Sequence, residues 1–202
     1  MLELEVSRHP SPFGPLVVVE SDRGVVAIEI DPSRQAALAE LLAQRLGTDF
    51  VLRQVSRSET GAELQAYFAG KRRRFEVAVD WSSLHGFQRE VLKALARVPF
   101  GAVVSYGDLA KKIGKPGAAR AIGGAMAKNP IPIVLPCHRV IAADGSLGGF
   151  SAGARVKKWL HAHEGIGALE GGWPTRAERE APRRAQPAKK RRSALPSRST
   201  HT

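Results

Sequence analysis

Val103-Val104-Ser105-Tyr106-Gly107-Asp108-Leu109-Ala110-Lys111-Lys112-Ile113-Gly114 carries a helix start and a helix stop seven to nine residues apart. Ser105 and Asp108 stand at capping-box spacing, in which a hydroxyl accepts from a backbone N–H three residues on. Ser105 is therefore predicted to start a short helix. Gly114 ends it where a left-handed residue is wanted, because glycine carries no Cβ to clash there. Pro116 then opens a second helix, whose first turn has no use for the missing N–H. Its inward face is Ala118, Ile122, Ala125 and Met126, spaced at three- and four-residue steps. Two short helices joined by a tight glycine turn make a helix-turn-helix.

The second helix turns a nearly bare surface outward: Ala119, Arg120, Ala121, Gly123 and Gly124. A glycine inside a helix costs roughly 0.5–1 kcal/mol against alanine, so an adjacent pair needs a reason. Close approach of a foreign backbone is one; tight packing against a neighbouring element of the same protein is another. Arg120, alone on a smooth face, suits insertion into a groove of nucleic acid.

Downstream, Asn129-Pro130-Ile131-Pro132-Ile133-Val134-Leu135 is expected to be extended, since residues before proline avoid the helical region. From local chemistry alone, a helix cap is the plain reading of Asn129. That segment, Pro136-Cys137-His138-Arg139-Val140, contains the only cysteine of the chain. A thiol reacts as thiolate, and an ordinary pKa of about 8.5 must be lowered by neighbours at neutral pH. His138 adjoins it, Arg139 adds fixed positive charge, and Pro136 stiffens the backbone before it. The plainer reading is that a free cysteine is a small buried hydrophobe.

Asp144-Gly145 marks a turn. The glycine-rich Gly148-Gly149-Phe150-Ser151-Ala152-Gly153 is either a connector or the edge of a pocket for a flat ligand, with Phe150 as wall and Ser151 as donor. A last helix is predicted over 154–164, with Val156, Trp159, Leu160 and His163 on one face and Gly165 as its stop. Glu164 would then sit at a helix C-terminus, where a carboxylate is disfavoured by about 0.3–1 kcal/mol. It needs a partner, and His138 is the attractive one, because an oriented imidazole needs a third group to fix its tautomer.

Upstream, Phe87, Val91, Leu92, Leu95 and Ala96 form one apolar stripe that ends at Pro99-Phe100-Gly101. A domain boundary is placed near 80–86. The first eighty residues read as an α+β scaffold with no catalytic signal. Leu16–Glu20 and Val25–Ile30 flank Asp22-Arg23-Gly24 as a hairpin. Helices are predicted over 33–46 and 62–68, and further strands over 50–54 and 75–79. The assignment is residues 1–80 as scaffold, 81–168 as a mainly helical domain with the helix-turn-helix, and 169–202 as a disordered basic tail.

Composition narrows the function. A single cysteine permits neither an intramolecular disulfide nor a cysteine-cluster metal site, which fits a reducing compartment. The amino terminus lacks a signal-peptide pattern and no run is apolar enough to span a bilayer, so a cytoplasmic protein without membrane partners is expected. The net charge of +12 favours a polyanion, but the segment from Gly171 onward, with nine Lys/Arg and two Glu, supplies +7 of it.

Taken in order, residues 88–95, 101–106, 118–129, 136–140, 148–153 and His163-Glu164-Gly165 resemble the O6-alkylguanine-DNA alkyltransferases. The resemblance runs from about Phe87 to Gly165, and the preceding module is similar to that family's ribonuclease-H-like domain. It implies direct repair of double-stranded DNA containing O6-alkylguanine by a monomer with no cofactor and no metal. Cys137 would take the alkyl group irreversibly, in a single turnover, activated through a water by His138, which Glu164 would orient. Tyr106 would assist the departing guanine from beside the rotated phosphate, and Asn129 would tie the helix-turn-helix to the thiol loop. Arg120 would fill the gap left by the extruded base, with Tyr106, Ala119, Ala121 and Gly123 along the DNA. Met126, Phe150, Ser151 and the backbone at Cys137 and Val140 would hold the base. Phe150 and Leu92 depart from the tyrosine and tryptophan common in relatives, and the cysteines with which some members bind zinc are missing. In a prokaryote the address would be the nucleoid. A Cys-His-Glu thiol hydrolase leaves the helix pair without a role, and a purely DNA-binding protein or lesion sensor leaves the thiol idle.

Overall fold

The computed structural model describes residues 1–166. The end of the second domain at 168 and the basic tail over 169–202 lie outside the described residues. The first module is a four-stranded sheet in the order β3-β2-β1-β4, built from β1 (Leu2–His9), β2 (Leu16–Ser21), β3 (Gly24–Glu29) and β4 (Phe50–Gln54). The hairpin β2–β3 is antiparallel, β1 pairs antiparallel with β2, and β4 joins β1 in parallel. The alternation in Leu2-Glu3-Leu4-Glu5-Val6 marks β1, a strand absent from the sequence reading; Leu4 and Val6 are buried.

Both faces of the sheet are covered, which is why β2 and β3 read as nearly continuous apolar runs. One face packs Leu4, Val6, Val17, Val19 and Val26 against Leu38 and Leu42. The other packs Leu16, Val18, Val25 and Ile28 against Leu64, Tyr67 and the second domain. The helix expected over 33–46 is two: α1 (Pro32–Gln35), capped by Asp31, and α2 (Leu38–Leu46). The break lets Leu38 and Leu42 follow the sheet, while Ala37 stays exposed. α3 (Glu59–Phe68) begins three residues earlier than predicted, because the Ser58 hydroxyl accepts from Gly61 N and caps it. Residues 75–79 are not a strand; they run beside the edge strand β3 and touch it through a single bridge, Val25 to Val79. That contact shields an otherwise open sheet edge.

The second domain carries α4 (Gly86–Leu95), β5 (Val104–Ser105), α5 (Tyr106–Lys112), α6 (Ala119–Ala127), β6 (Val140–Ile141) and α7 (Ala154–His163). In α4, Val91, Leu92 and Leu95 are buried, whereas Ala96 is exposed at the C-cap. Leu92 is fully buried. The cap of α5 forms as predicted: Ser105 Oγ accepts from Asp108 N at 3.0 Å and donates to its carboxylate at 2.7 Å. Gly114 follows with φ +70°. The second helix starts at Ala119 rather than at Pro116, since 116–118 form a turn. Ile122, Ala125 and Met126 face inward as expected. α4, α5 and α6 pack on one another, and Ile28 N donates to Pro130 O at 2.8 Å, joining the sheet to the loop after α6.

Candidate active site

The thiol loop is not extended. Leu135 N donates to Ile131 O, and Ile133 sits in the left-handed region at φ 75°, an uncommon conformation for a β-branched residue. Asn129 stabilises this turn from inside. Its Nδ2 donates to Leu135 O at 2.8 Å and to Cys137 Sγ at 3.1 Å, and its Oδ1 accepts from Ile131 N at 3.1 Å. It therefore connects the end of α6 to the sulfur and does more than cap a helix.

Cys137 to Arg139 form one turn of 3-10 helix, and β6 comes immediately after it. β6 pairs in parallel with β5, Val104 opposite Val140, and α5 starts directly after β5. That pairing brings Tyr106 to the thiol. Tyr106, Met126, Cys137, Phe150 and Ser151 line one pocket of about 270 Å³, with Gly123, Ala127 and Gly149. Val140 does not line it: its side chain is buried, its N–H bonds Cys137 O and its carbonyl accepts from Lys157 Nζ at 2.6 Å.

Behind the thiol lies a buried polar cluster. Glu164 Oε1 accepts from His138 Nε2 and from the Tyr67 hydroxyl, both at 2.8 Å. Arg139 clasps the same carboxylate, Nη2 to Oε1 at 2.8 Å and Nε to Oε2 at 2.9 Å, and its Nη1 donates to Val98 O. Gly101 N donates to Oε2 at 3.0 Å. Burial alone would raise the Glu164 pKa, but the His138 and Arg139 hydrogen bonds hold it well below the usual carboxylate range. Burial lowers His138 to about 4, so it rests neutral. Since an ionised carboxylate can only accept, the proton of neutral His138 is on Nε2 and the lone pair on Nδ1. That Nδ1 is buried and has no hydrogen-bond partner among the described residues.

The positive charge of Arg139 is thus spent on Glu164 and not on the thiol. The cation that acts on Cys137 is Lys157, whose fully buried ammonium donates to the carbonyls of Val140, Leu147 and Gly149. Burial lowers the Lys157 pKa to about 8, with Cys137 opposing the shift. Burial pushes the thiol up, while Asn129 and Lys157 pull it down. The sequence reading passed over Lys157, His161 and Tyr67. Lys157, His161 and Glu164 recur at steps of four and three, one helical face, and that spacing was the available signal. α7 buries this polar face, whereas Trp159 and His163, expected inside, are half-buried and stack on each other. Tyr67 carried no local signal, because its partner lies 97 residues away.

Along α6, Arg120, Ala121 and Gly124 are exposed, and Ala119 is half-buried. A Cβ on Gly124 would meet nothing within 4 Å, and one on Gly123 would sit 3.7 Å from the Tyr106 ring. No neighbouring protein element therefore accounts for Gly124; the small residues leave a smooth external surface with one arginine. Among the described residues, no three His, Cys, Asp or Glu gather as metal ligands, and no helix is long and apolar enough to cross a membrane.

Residues 86–166 match the DNA-binding domain of 6-O-methylguanine DNA methyltransferase, and residues 9–81 match its ribonuclease-like domain. The methylated-DNA–protein-cysteine methyltransferase of Shigella flexneri is 37% identical over 171 residues, 82% of this chain and 98% of its own. The mouse protein of the same name is 39% identical over 181 residues, covering 81% and 82%. Among solved structures, OGT of Mycobacterium tuberculosis in complex with DNA is 36% identical with a TM-score of 0.66, over 79% of this chain and 92% of that one. The O6-methylguanine-DNA methyltransferase of Pyrococcus kodakaraensis is 30% identical with a TM-score of 0.64, over 81% and 99%.

Proposed function

Because the chain belongs to the 6-O-methylguanine DNA methyltransferase family, we propose that it repairs DNA directly, moving an alkyl group from guanine O6 to Cys137. The observation that carries this reading is a lone thiol on the wall of a pocket, hydrogen-bonded by Asn129 and backed by the His138–Glu164 pair. The reacting carbon cannot be reached inside a duplex, so the nucleotide leaves the stack at a cost of a few kcal/mol. α6 lies in the minor groove, where shape is read more than sequence, and Arg120 occupies the vacated place. The extruded base enters between Phe150 and Met126, with Tyr106 and Ser151 at its polar edge.

The thiol proton passes through a water to His138 Nδ1, and Glu164 stabilises the resulting imidazolium. Sγ attacks the alkyl carbon in line, the S–C bond forms and the C–O6 bond breaks. The electron pair returns to the guanine, which takes up a proton with help from the Tyr106 hydroxyl. The thioether is not hydrolysed, so each molecule acts once. All these groups come from one chain, which suits a monomer; a DNA substrate and a thiol that must stay reduced suit the cytoplasm.

The test is mass spectrometry after mixing the protein with a duplex carrying one O6-methylguanine. The expected result is a single methyl on the Cys137 peptide, restored guanine and a stop at one equivalent. Tight binding without an adduct would instead make the protein a lesion sensor. Cys137→Ala should bind DNA and transfer nothing.

A further inference from the structure

Val134, Leu135 and Arg139 of the thiol loop also border a groove of about 700 Å³ that shares no lining residue with the thiol pocket. Arg73, Arg74 and Arg97 line it and are exposed, and half-buried Phe75, Trp81 and Phe100 give it an aromatic wall. Neighbouring Arg72 is neutralised by Glu63 at 2.9 Å and Glu76 at 3.6 Å. Arg73, Arg74 and Arg97, by contrast, pair with no carboxylate among the described residues; Arg73 lies over the Phe100 ring at 5.5 Å instead. Lys93, over Trp81 at 5.7 Å, adds a further cation near this wall. Unpaired guanidiniums beside aromatic faces are the two components of a surface that tracks phosphates and stacks bases.

We propose that this groove is a second nucleic-acid site and that its occupant is an extended single strand. Phosphates lie on Arg73, Arg74 and Arg97, and unpaired bases rest on Phe75 and Trp81; Phe100, whose ring carries Arg73 at 5.5 Å and Arg139 at 6.0 Å, positions Arg73. Charge selects the occupant: a second copy of a chain carrying +12, or its own basic segment beyond Gly171, is repelled by the same guanidiniums. The aromatic wall selects a single strand, because the bases of a duplex are already stacked. The site uses none of the groups assigned to alkyl transfer except the outer face of Arg139.

The experiment is fluorescence anisotropy of a labelled thymidine octamer with the full chain across a salt series, with methyl transfer from lesion duplex measured in parallel. Replacing Arg73, Arg74 and Arg97 together by serine should weaken octamer binding at least tenfold at low salt. The slope of log affinity against log salt should fall by about 2, given roughly 0.7 per single-strand phosphate. Transfer from the duplex should be unchanged. Octamer binding should also quench tryptophan fluorescence, and Trp81→Phe should remove that quenching. An unchanged slope in the triple variant overturns the proposal. So does hexaglutamate that binds as tightly as the octamer, or an equal loss of duplex binding in the variant, which would make the groove part of the duplex face.

Discussion

Tyr67→Phe removes one oxygen and tests whether the first domain acts on the proton relay. The Tyr67 hydroxyl is buried and donates to Glu164 Oε1 at 2.8 Å, and its pKa is pushed up first by burial and then by Glu164. A hydrogen bond to a charged group contributes about 1.5–3 kcal/mol. The carboxylate keeps His138, Arg139 and Gly101 as donors, and phenylalanine leaves no orphaned hydroxyl, so the stability loss should fall near the lower end, about 1–2 kcal/mol. The sign of the electrostatic effect is fixed by the geometry. Losing a donor makes the Glu164 carboxylate a stronger acceptor, which favours the charged form of His138 and raises its pKa from about 4 toward the ordinary value. Single-turnover transfer, followed from pH 4 to 8, should show its acid limb displaced upward by several tenths of a unit, with the plateau rate reduced less than tenfold. A variant that loses stability while its acid limb stays in place would refute the coupling and reduce Tyr67 to packing.

Asn129→Ala strands Ile131 N inside the turn, while Leu135 O keeps Cys137 N as a donor; urea unfolding should show a loss of about 1–3 kcal/mol, the cost of one buried unsatisfied group, and transfer should slow with it. Burial keeps His138 neutral at about 4 against an ordinary 6.5, so between those values the unfolded chain binds the extra proton and stability falls as pH drops. The loss should be on the order of 3 kcal/mol, continuing below the unfolded carboxylate range as Glu164 is protonated. Denaturation curves from pH 7 to 4 should therefore be flatter for His138→Gln than for the wild type, and identical curves would contradict the assignment. Arg120→Ala, at an exposed position, should change stability by less than about 0.5 kcal/mol while slowing repair of the extruded base at least tenfold; a normal repair rate would remove Arg120 from the DNA interface.

Local chemistry was legible in the chain. The Ser105–Asp108 cap, the turn at Asp22-Arg23-Gly24 and the inward row of α6 depend on neighbours within four residues, so the sequence alone determines them. The two-residue alternation that marks β1 is equally local, although no strand was expected there. The lone cysteine and its adjacent histidine are covalent facts, as is their distance along the chain from Glu164. What the sequence could not decide is which charges meet once water is excluded. Arg139 stands two residues from the thiol and gives its charge to Glu164, while Lys157, twenty residues away, turns its ammonium toward the carbonyls beside Cys137. Residues 75–79 have the composition of a strand but find β3 through only one bridge. Tyr67 reaches Glu164 only because α3 and α7 pack against one core. A buried charge takes the partners that folding brings within about 3 Å, and in a low-dielectric interior those contacts, rather than proximity in sequence, set its protonation state.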